Sequence, residues 1–388
     1  MTAAGTAPAA GLTPAGTSRE GVTLFIDPFT WHFLEDRLFE PSTSAGGGDD
    51  ILGPWIYLRR WFEERGVPVY TADRLLDGTR VDERNVYISL GIQENCRAVA
   101  RRPDTVSSAL FVFEGPIVQP HLYRNLSWAQ HCFKRVFSFS DSASLAPFLT
   151  ADVELQQFCI PSPVDGVDEQ IWANEKRDFL VMINGNRLPR IFVDELYTER
   201  RRALAYFGAH GEIDLYGLGW DVPPYRPYPT WVPATAQRLH RSLIAAKHRV
   251  APDPLLEAAR SVYRGATDEK CETLGRYRFS ICYENQILNG WITEKIFDCF
   301  RAGTVPVYWG APDVERFIPS DCFIDMRRFS GYDELREHLH SLSDADVQAY
   351  RVAARDYLRS PAFHPFTKQA FVDLCADLVA QDTGLVLA

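Results

Sequence analysis

The stretch Tyr277-Arg278-Phe279-Ser280-Ile281-Cys282-Tyr283-Glu284-Asn285 decides the fold, together with Trp291-Ile292-Thr293-Glu294-Lys295-Ile296-Phe297 and Ala302-Gly303-Thr304-Val305-Pro306-Val307-Tyr308-Trp309-Gly310-Ala311-Pro312. It reads as strand, polar loop, helix, strand, polar loop. Thr293 is a favourable N-cap for a helix starting at Glu294. Ile296, Phe297 and Phe300 fall on one buried stripe, and Gly303 stands where a left-handed C-terminal stop is expected. A helix start beside Lys295 offers free N–H groups, a positive dipole end and an ammonium, which together suit a diphosphate. Glu294, at the same end, can accept sugar or ribose hydroxyls. The ends of both strands should emerge at one edge of the sheet.

Outward from this segment the alternation continues. Val22–Ile26, Val67–Tyr70, Val86–Leu90, Ala109–Phe113 and Val136–Phe139 read as strands. Trp55–Arg65 reads as a helix with Trp55, Leu58, Trp61 and Phe62 on one stripe. After a boundary at Pro161-Ser162-Pro163 the pattern restarts with the strand Phe179–Ile183, the helix Glu195–Phe207 and the strand Ile213–Tyr216. Alternation of this kind predicts α/β architecture with parallel sheets covered by helices, and ligands at the carboxyl ends of the strands. The predicted organisation is a disordered lead-in over 1–20, an N-terminal Rossmann-like domain over 21–163 and a C-terminal one over 164–345. Helices over 346–388 should pack back toward the first domain. An insert over about 218–276 begins with Pro223, Pro224, Pro227, Pro229 and Pro233, which rule out regular structure there, before a helix over Gln237–Lys247.

Composition bounds the function. The chain has 388 residues and a formal net charge of −10, so it lacks the basic excess of a nucleic-acid-binding protein. The eight cysteines form no C-x-x-C pair and most sit in apolar stretches, as buried thiols in a reducing compartment do. There is no apolar run long enough to span a bilayer, and residues 1–20 lack the features of a signal peptide. The expected location is cytoplasmic, with peripheral association with a membrane left open.

The stretch 277–329 closely resembles the signature of the family 10 α-1,3/α-1,4-fucosyltransferases. The resemblance rests on Tyr277-Arg278-Phe279, Tyr283-Glu284-Asn285, Trp291–Lys295, Ala302-Gly303, Val305–Val307, Gly310–Pro312 and Phe323-Ile324. It implies the GT-B fold, two Rossmann-like domains facing across a cleft. It also implies inverting transfer of L-fucose from GDP-β-L-fucose, with no cofactor and no metal needed for the chemistry. Glu294 and Lys295 match the family's donor-contacting pair, and Asn285 its asparagine after the strand; Thr293, Trp291, Tyr277 and Arg278 fall within the same donor-binding signature. Upstream, Arg200 matches best the arginine that grips the diphosphate, with Arg202 second, although an arginine triplet on a helix can equally be a solvated face. The chain departs from the family's usual residues at Arg278, Tyr283 and Trp291, and its insert is long. It shows neither the anchor nor the stem of vertebrate relatives, which fits a bacterial-type member.

Inverting transfer needs a carboxylate facing the leaving group from the other side. Glu114 ends the strand Ala109–Phe113 ahead of Gly115-Pro116, which puts it at a cleft edge, and the family's base occupies a similar position. Glu114 is therefore the candidate base and Glu294 the second catalytic candidate. Trp31 and His32, after the first strand, and His121 are candidates for the acceptor pocket, with ordinary packing the alternative. Asp344-Ala345-Asp346 has a D-x-D look that helix capping explains, and no H-E-x-x-H or G-x-x-x-x-G-K-[ST] motif is present. The expected partners are GDP-fucose and a glycan or small-molecule acceptor. The remaining alternatives are another GDP-sugar, a non-glycan acceptor, or an inactive binding relative.

Overall fold

A computed structural model of the chain describes residues 21–41, 52–92, 94–163, 166–176, 178–222 and 232–387. The lead-in over 1–20 and the prolines 223, 224, 227 and 229 lie outside the described residues. Six strands form the first sheet: β1 (Val22–Asp27), β2 (Val69–Thr71), β3 (Arg84–Ser89), β4 (Thr105–Val112), β5 (Arg135–Ser138) and β6 (Gln156–Gln157). Five form the second: β7 (Asp178–Ile183), β8 (Ile213–Tyr216), β9 (Tyr277–Tyr283), β10 (Val305–Trp309) and β11 (Ile324–Asp325). The orders are β2-β1-β3-β4-β5-β6 and β11-β10-β9-β7-β8, and the pairings are parallel.

Each sheet is apolar on both faces because its strands bury both sets of alternating side chains. In β1, Val22, Leu24 and Ile26 join one core, while Phe25 joins the core on the other face. In the second sheet, Leu180, Met182, Phe279, Ile281, Val305 and Val307 pack with Ala203, Leu204 and Phe207 of the helix Tyr197–Ala209. Val181, Cys282 and Tyr308 face the helix Glu294–Ala302 instead. That helix stops at Gly303, whose backbone is left-handed (φ 64°, ψ 35°). A Cβ at Gly303 would also come within 2.6 Å of the Trp172 ring.

The C-terminal helices divide differently from the sequence reading. Asp344–Arg359 stays with the second domain through Ala354, Tyr357 and Leu358. Only Lys368–Thr383 crosses to the first, where Phe371, Val372, Cys375, Leu378 and Val379 complete its core. The D-x-D sequence is the capped start of Asp344–Arg359, with Ser343 and Asp346 bonded reciprocally. Among the described residues the cysteines form no disulfide, and Cys96, Cys282, Cys299, Cys322 and Cys375 are buried. No helix among the described residues is long and apolar enough to cross a membrane.

The loop between β9 and the helix Glu294–Ala302 joins the two domains. Leu288 and Trp291 are buried in the first domain's core, with the Trp291 ring 4.4 Å from that of Phe139. Gly290 is left-handed (φ 70°) and lies against the Phe139 carbonyl, which any Cβ would strike. Asn289 donates to Ser144 Oγ at 3.1 Å, and the Arg190 N–H donates to the Ile117 carbonyl at 2.7 Å. These contacts follow β4, β5, β7 and β9, so the carboxyl edges of the two sheets face each other.

One carboxyl in the first domain is expensive to ionise. Asp27 is 1% exposed at the end of β1 and accepts a hydrogen bond from Tyr87 Oη at 2.8 Å. Burial raises its pKa to about 7, against the lowering effect of Tyr87 and with a further push from Asp73. The unfolded chain releases this proton near pH 4 and the folded chain near pH 7. This group's contribution to stability therefore falls as pH rises between those values and is flat above, by roughly 4 kcal/mol in all. Asp27→Asn keeps an acceptor for Tyr87 and removes the charge. Its melting temperature should gain more over wild type at pH 8 than at pH 4.5 by calorimetry, and an equal gain at both would place the ionisation elsewhere.

Candidate active site

Glu284, the residue after β9, organises the helix start. It is fully buried. Its Oε1 accepts the Thr293 N–H at 2.8 Å, the Thr293 hydroxyl lies 2.9 Å from each carboxylate oxygen, and Lys295 Nζ stands 3.0 Å from Oε2. Lys295 also donates to Thr293 Oγ1 at 2.8 Å. Gly310, at the exit of β10, leaves room for this carboxylate, since a Cβ there would sit 2.5 Å from Glu284 Cγ. Thr293 thus occupies the N-cap position, but its hydroxyl does not cap the helix as expected. The stronger acceptor, a buried carboxylate, draws it away.

Lys295 is therefore not the unencumbered ammonium that the sequence suggests. It is held by Glu284 and lies 3.6 Å from Glu294 Oε1, with 17% of its side chain still exposed. Burial alone would lower its pKa, but Glu284 and Glu294 outweigh it and raise the value. Glu294 keeps 38% side-chain exposure. Burial would raise its pKa, yet Lys295 and Lys270 bring it down to about 2, so it is an acceptor at any physiological pH.

Arg200 closes the site from the helix Tyr197–Ala209. It is 4% exposed, and its Nη2 donates to the Tyr283 carbonyl at 2.6 Å and to Asn285 Oδ1 at 3.0 Å. Its Nε is buried with no hydrogen-bond partner among the described residues. Burial lowers its pKa, offset in part by Tyr197, Glu284 and Glu294, which places it beside the same carboxylates.

Glu114 meets this group from the first domain, one residue past the Phe113 that follows β4. Its Oε1 accepts the Gly115 N–H at 2.9 Å, and its carbonyl accepts from Tyr123 Oη at 2.8 Å. Burial raises its pKa; the Gly115 N–H, Lys295 and Arg187 pull it down, and Glu294 pushes it up. Glu114 accordingly shares one electrostatic neighbourhood with Lys295 and Glu294 of the other domain. Tyr197 belongs to the same group, its pKa raised by burial and by Glu114 and lowered by Arg200, Lys295 and Arg187.

Four expected donor residues lie elsewhere. Arg202 points away from the site and pairs with Glu199 on the exposed side, because residues two apart on a helix face different directions. Tyr277 and Arg278 begin β9 and so sit at the amino end of the sheet, about 20 Å of strand from the carboxyl edge. There Tyr277 donates to Asp214 Oδ2 at 2.8 Å, and Arg278 pairs with Asp344 at 3.3 Å. Trp291 is 2% exposed and serves the interdomain core, not a donor pocket. Of the acceptor candidates, Trp31 is 59% exposed beyond β1 with the His32 ring 3.7 Å away, and His121 is exposed with its Nε2 3.3 Å from Asn125 Nδ2. Neither packs into a core. Sequence reasoning gave no role to Glu284, Arg187 or Tyr197. Glu284 was visible as a charge ending a buried strand, and Arg187 as a cation just beyond the Asn184-Gly185-Asn186 turn after β7.

Residues 257–382 match the family model described as Glycosyltransferase family 10 (fucosyltransferase) C-term. Over these residues the chain is similar to family 10 glycosyltransferases. The β9–β10 unit with Glu284, Glu294 and Lys295 lies inside the matched segment, whereas Arg200 and Glu114 lie before it. The chain is 36% identical over 73 residues to the alpha-(1,3)-fucosyltransferase FucT of Helicobacter pylori, covering 19% of this chain and 15% of that protein. It is 39% identical over 75 residues to the GDP-fucose protein O-fucosyltransferase 3 of Xenopus laevis, covering 19% and 16%. The chain thus spans about a sixth of the length of these relatives. Beyond the matched segment the likeness is one of fold. An alpha-glucosyltransferase solved with UDP-glucose and DNA containing an abasic site superposes with a TM-score of 0.53 at 11% identity, over 92% of this chain and 99% of that one. Two parallel-sheet domains with facing carboxyl edges are the GT-B arrangement.

The start of the helix Glu294–Ala302 depends on Glu284 having room. Gly310→Ala should push that carboxylate aside and lower stability to urea by on the order of 1–3 kcal/mol. An unchanged urea midpoint would mean that the exit of β10 moves freely to accommodate a methyl group.

Proposed function

We propose that this protein transfers L-fucose from GDP-fucose to a hydroxyl of a glycan acceptor, with inversion at the anomeric carbon and without a metal in the chemistry. The observation that carries this reading is the convergence of Glu114 from one domain with Arg200, Glu294 and Lys295 from the other. The family 10 match supports a fucosyltransferase, and the name of the Xenopus laevis relative supports GDP-fucose as donor.

In the proposed reaction the donor lies against the second domain, with its diphosphate at the start of the helix Glu294–Ala302. Lys295, the spare Nε of Arg200 and the helix N–H groups take up the charge that builds on the leaving GDP. Arg187, exposed just beyond the turn after β7, adds a third cation beside them. Glu294 accepts a hydroxyl of the donor. Glu114 removes the acceptor's proton as the new bond forms on the face opposite GDP. Its raised pKa makes it a stronger base than an ordinary carboxylate. The acceptor lies toward the first domain, where Trp31 is an exposed stacking surface. The buried thiols support a reducing, cytoplasmic location.

The test is GDP release and product mass with GDP-fucose and a mixed panel of glycans, peptides and small hydroxyl compounds. GDP-mannose and GDP-arabinose serve as donor controls. A binding-only relative would be stabilised by GDP and release none, and a different GDP-sugar enzyme would turn over one of the controls.

Two variants probe the roles. Glu114→Gln should bind GDP as wild type does but lose about 10²–10⁴ in kcat, and near-normal turnover would assign the base elsewhere. In wild type the base must be ionised, so kcat/KM should fall on the acid side with a midpoint above the usual range for glutamate, and Glu114→Gln should lack that limb. Arg200→Ala should weaken GDP binding and cut turnover by about 10²–10³, measured by titration calorimetry and initial rates. Unaltered GDP affinity would remove Arg200 from the diphosphate site.

A further inference from the structure

The helix Ala234–Val250 in the insert is built inside out. It buries none of its residues fully. Gln237, Ile244, Ala245 and His248 are half-buried and mark the side that leans on the protein. The opposite crest carries Leu239 (63% exposed), Leu243 (60%) and Val250 (88%), with exposed Ala246 between them. The spacing 239, 243, 246, 250 is one stripe of an α-helix, running most of its roughly 26 Å length. A surface helix ordinarily turns such a stripe toward the core, but here it faces water.

The charges around this stripe are of one sign. At 100° per residue, Arg238 and Arg249 flank it on one side and Lys247 on the other. All three are exposed and make no ion pair with a carboxylate among the described residues. The helix contains no Asp or Glu, and none occurs between Asp221 and Asp253, in a chain of net charge −10. The basic crest is thus a local reversal of the protein's overall field.

We propose that this helix is a docking surface for an anionic lipid membrane, lying in the headgroup region with Leu239, Leu243 and Val250 in the acyl boundary. The flanking Arg238, Arg249 and Lys247 would meet lipid phosphates. Aliphatic side chains with cations on either side match an interface that is apolar below and anionic above. A nucleic acid would satisfy the cations but leave the leucines in water. This assignment is independent of the proposed reaction, because no residue of the helix belongs to the candidate active site.

The test is flotation of the full chain with vesicles of phosphatidylcholine alone and with about 30% phosphatidylglycerol. Binding is expected only to the anionic vesicles at low salt and should be lost at about 0.5 M salt, where charges are screened within a few ångströms. The double variant Leu239→Ser, Leu243→Ser should reduce vesicle partitioning on the order of tenfold or more, with an unchanged melting temperature and unchanged GDP binding. Arg238→Gln with Lys247→Gln and Arg249→Gln should weaken binding and flatten its salt dependence. No flotation with anionic vesicles at low salt would overturn the proposal. So would equal flotation of the leucine variant, or binding to polyglutamate or duplex DNA but not to vesicles.

Discussion

The site depends on a buried carboxylate. Glu284 accepts the Thr293 backbone N–H, the Thr293 hydroxyl and the Lys295 ammonium, and so ties the end of β9 to the start of the helix nine residues later. A fully buried carboxylate is tolerated only when its oxygens are so supplied. Each donor is consequently held in a single position. Glu294, between Thr293 and Lys295, inherits that position without bonding to Glu284. The room for this arrangement comes from Gly310, and the lowered pKa of Glu294 from Lys295 and Lys270 against the effect of its burial.

The second constraint is between domains. The ten residues from Glu284 to Thr293 contain both the organising carboxylate and the plug of Leu288 and Trp291 in the first domain's core. The same short loop therefore fixes the helix start and the distance to the opposite sheet. Gly290 allows the closest approach, against the Phe139 carbonyl, and Gly115 lies beside Gln286 and Trp291. Because Gly115 follows Glu114, the packing of this loop also sets where Glu114 stands. The helix Lys368–Thr383, returning to the first domain's core, braces the same pairing from the end of the chain.

Much of this was legible in the sequence. Short apolar runs flanked by turn residues located β1 to β5 and β7 to β10 to within a few residues, because strands buried on both faces leave little choice of side chain; the two-residue strands β6 and β11 offered no such run. The limits of Glu294–Ala302 followed from Thr293 and Gly303. Glu114 could be read as a cleft residue because the carboxyl end of a buried strand has only one direction in which to emerge. Tyr277, Arg278 and Trp291 were grouped with the donor site as members of one signature, but β9 separates Tyr277 and Arg278 from its carboxyl end by about 20 Å, and Trp291 packs into the first domain's core. Arg202 failed through helix geometry alone.

The sequence by itself determined the two α/β units, their strands and helix ends, and the family 10 signature, since these follow from local periodicity, capping and short-range pattern. Only the tertiary structure decided which charges meet. Glu284 with Lys295, Arg200 with Asn285, and Glu114 with Arg187 and the opposing helix are encounters between segments up to 181 residues apart, the span from Glu114 to Lys295. Their outcome is set by which buried groups must find partners, and that requirement exists only once the chain has folded and water has left.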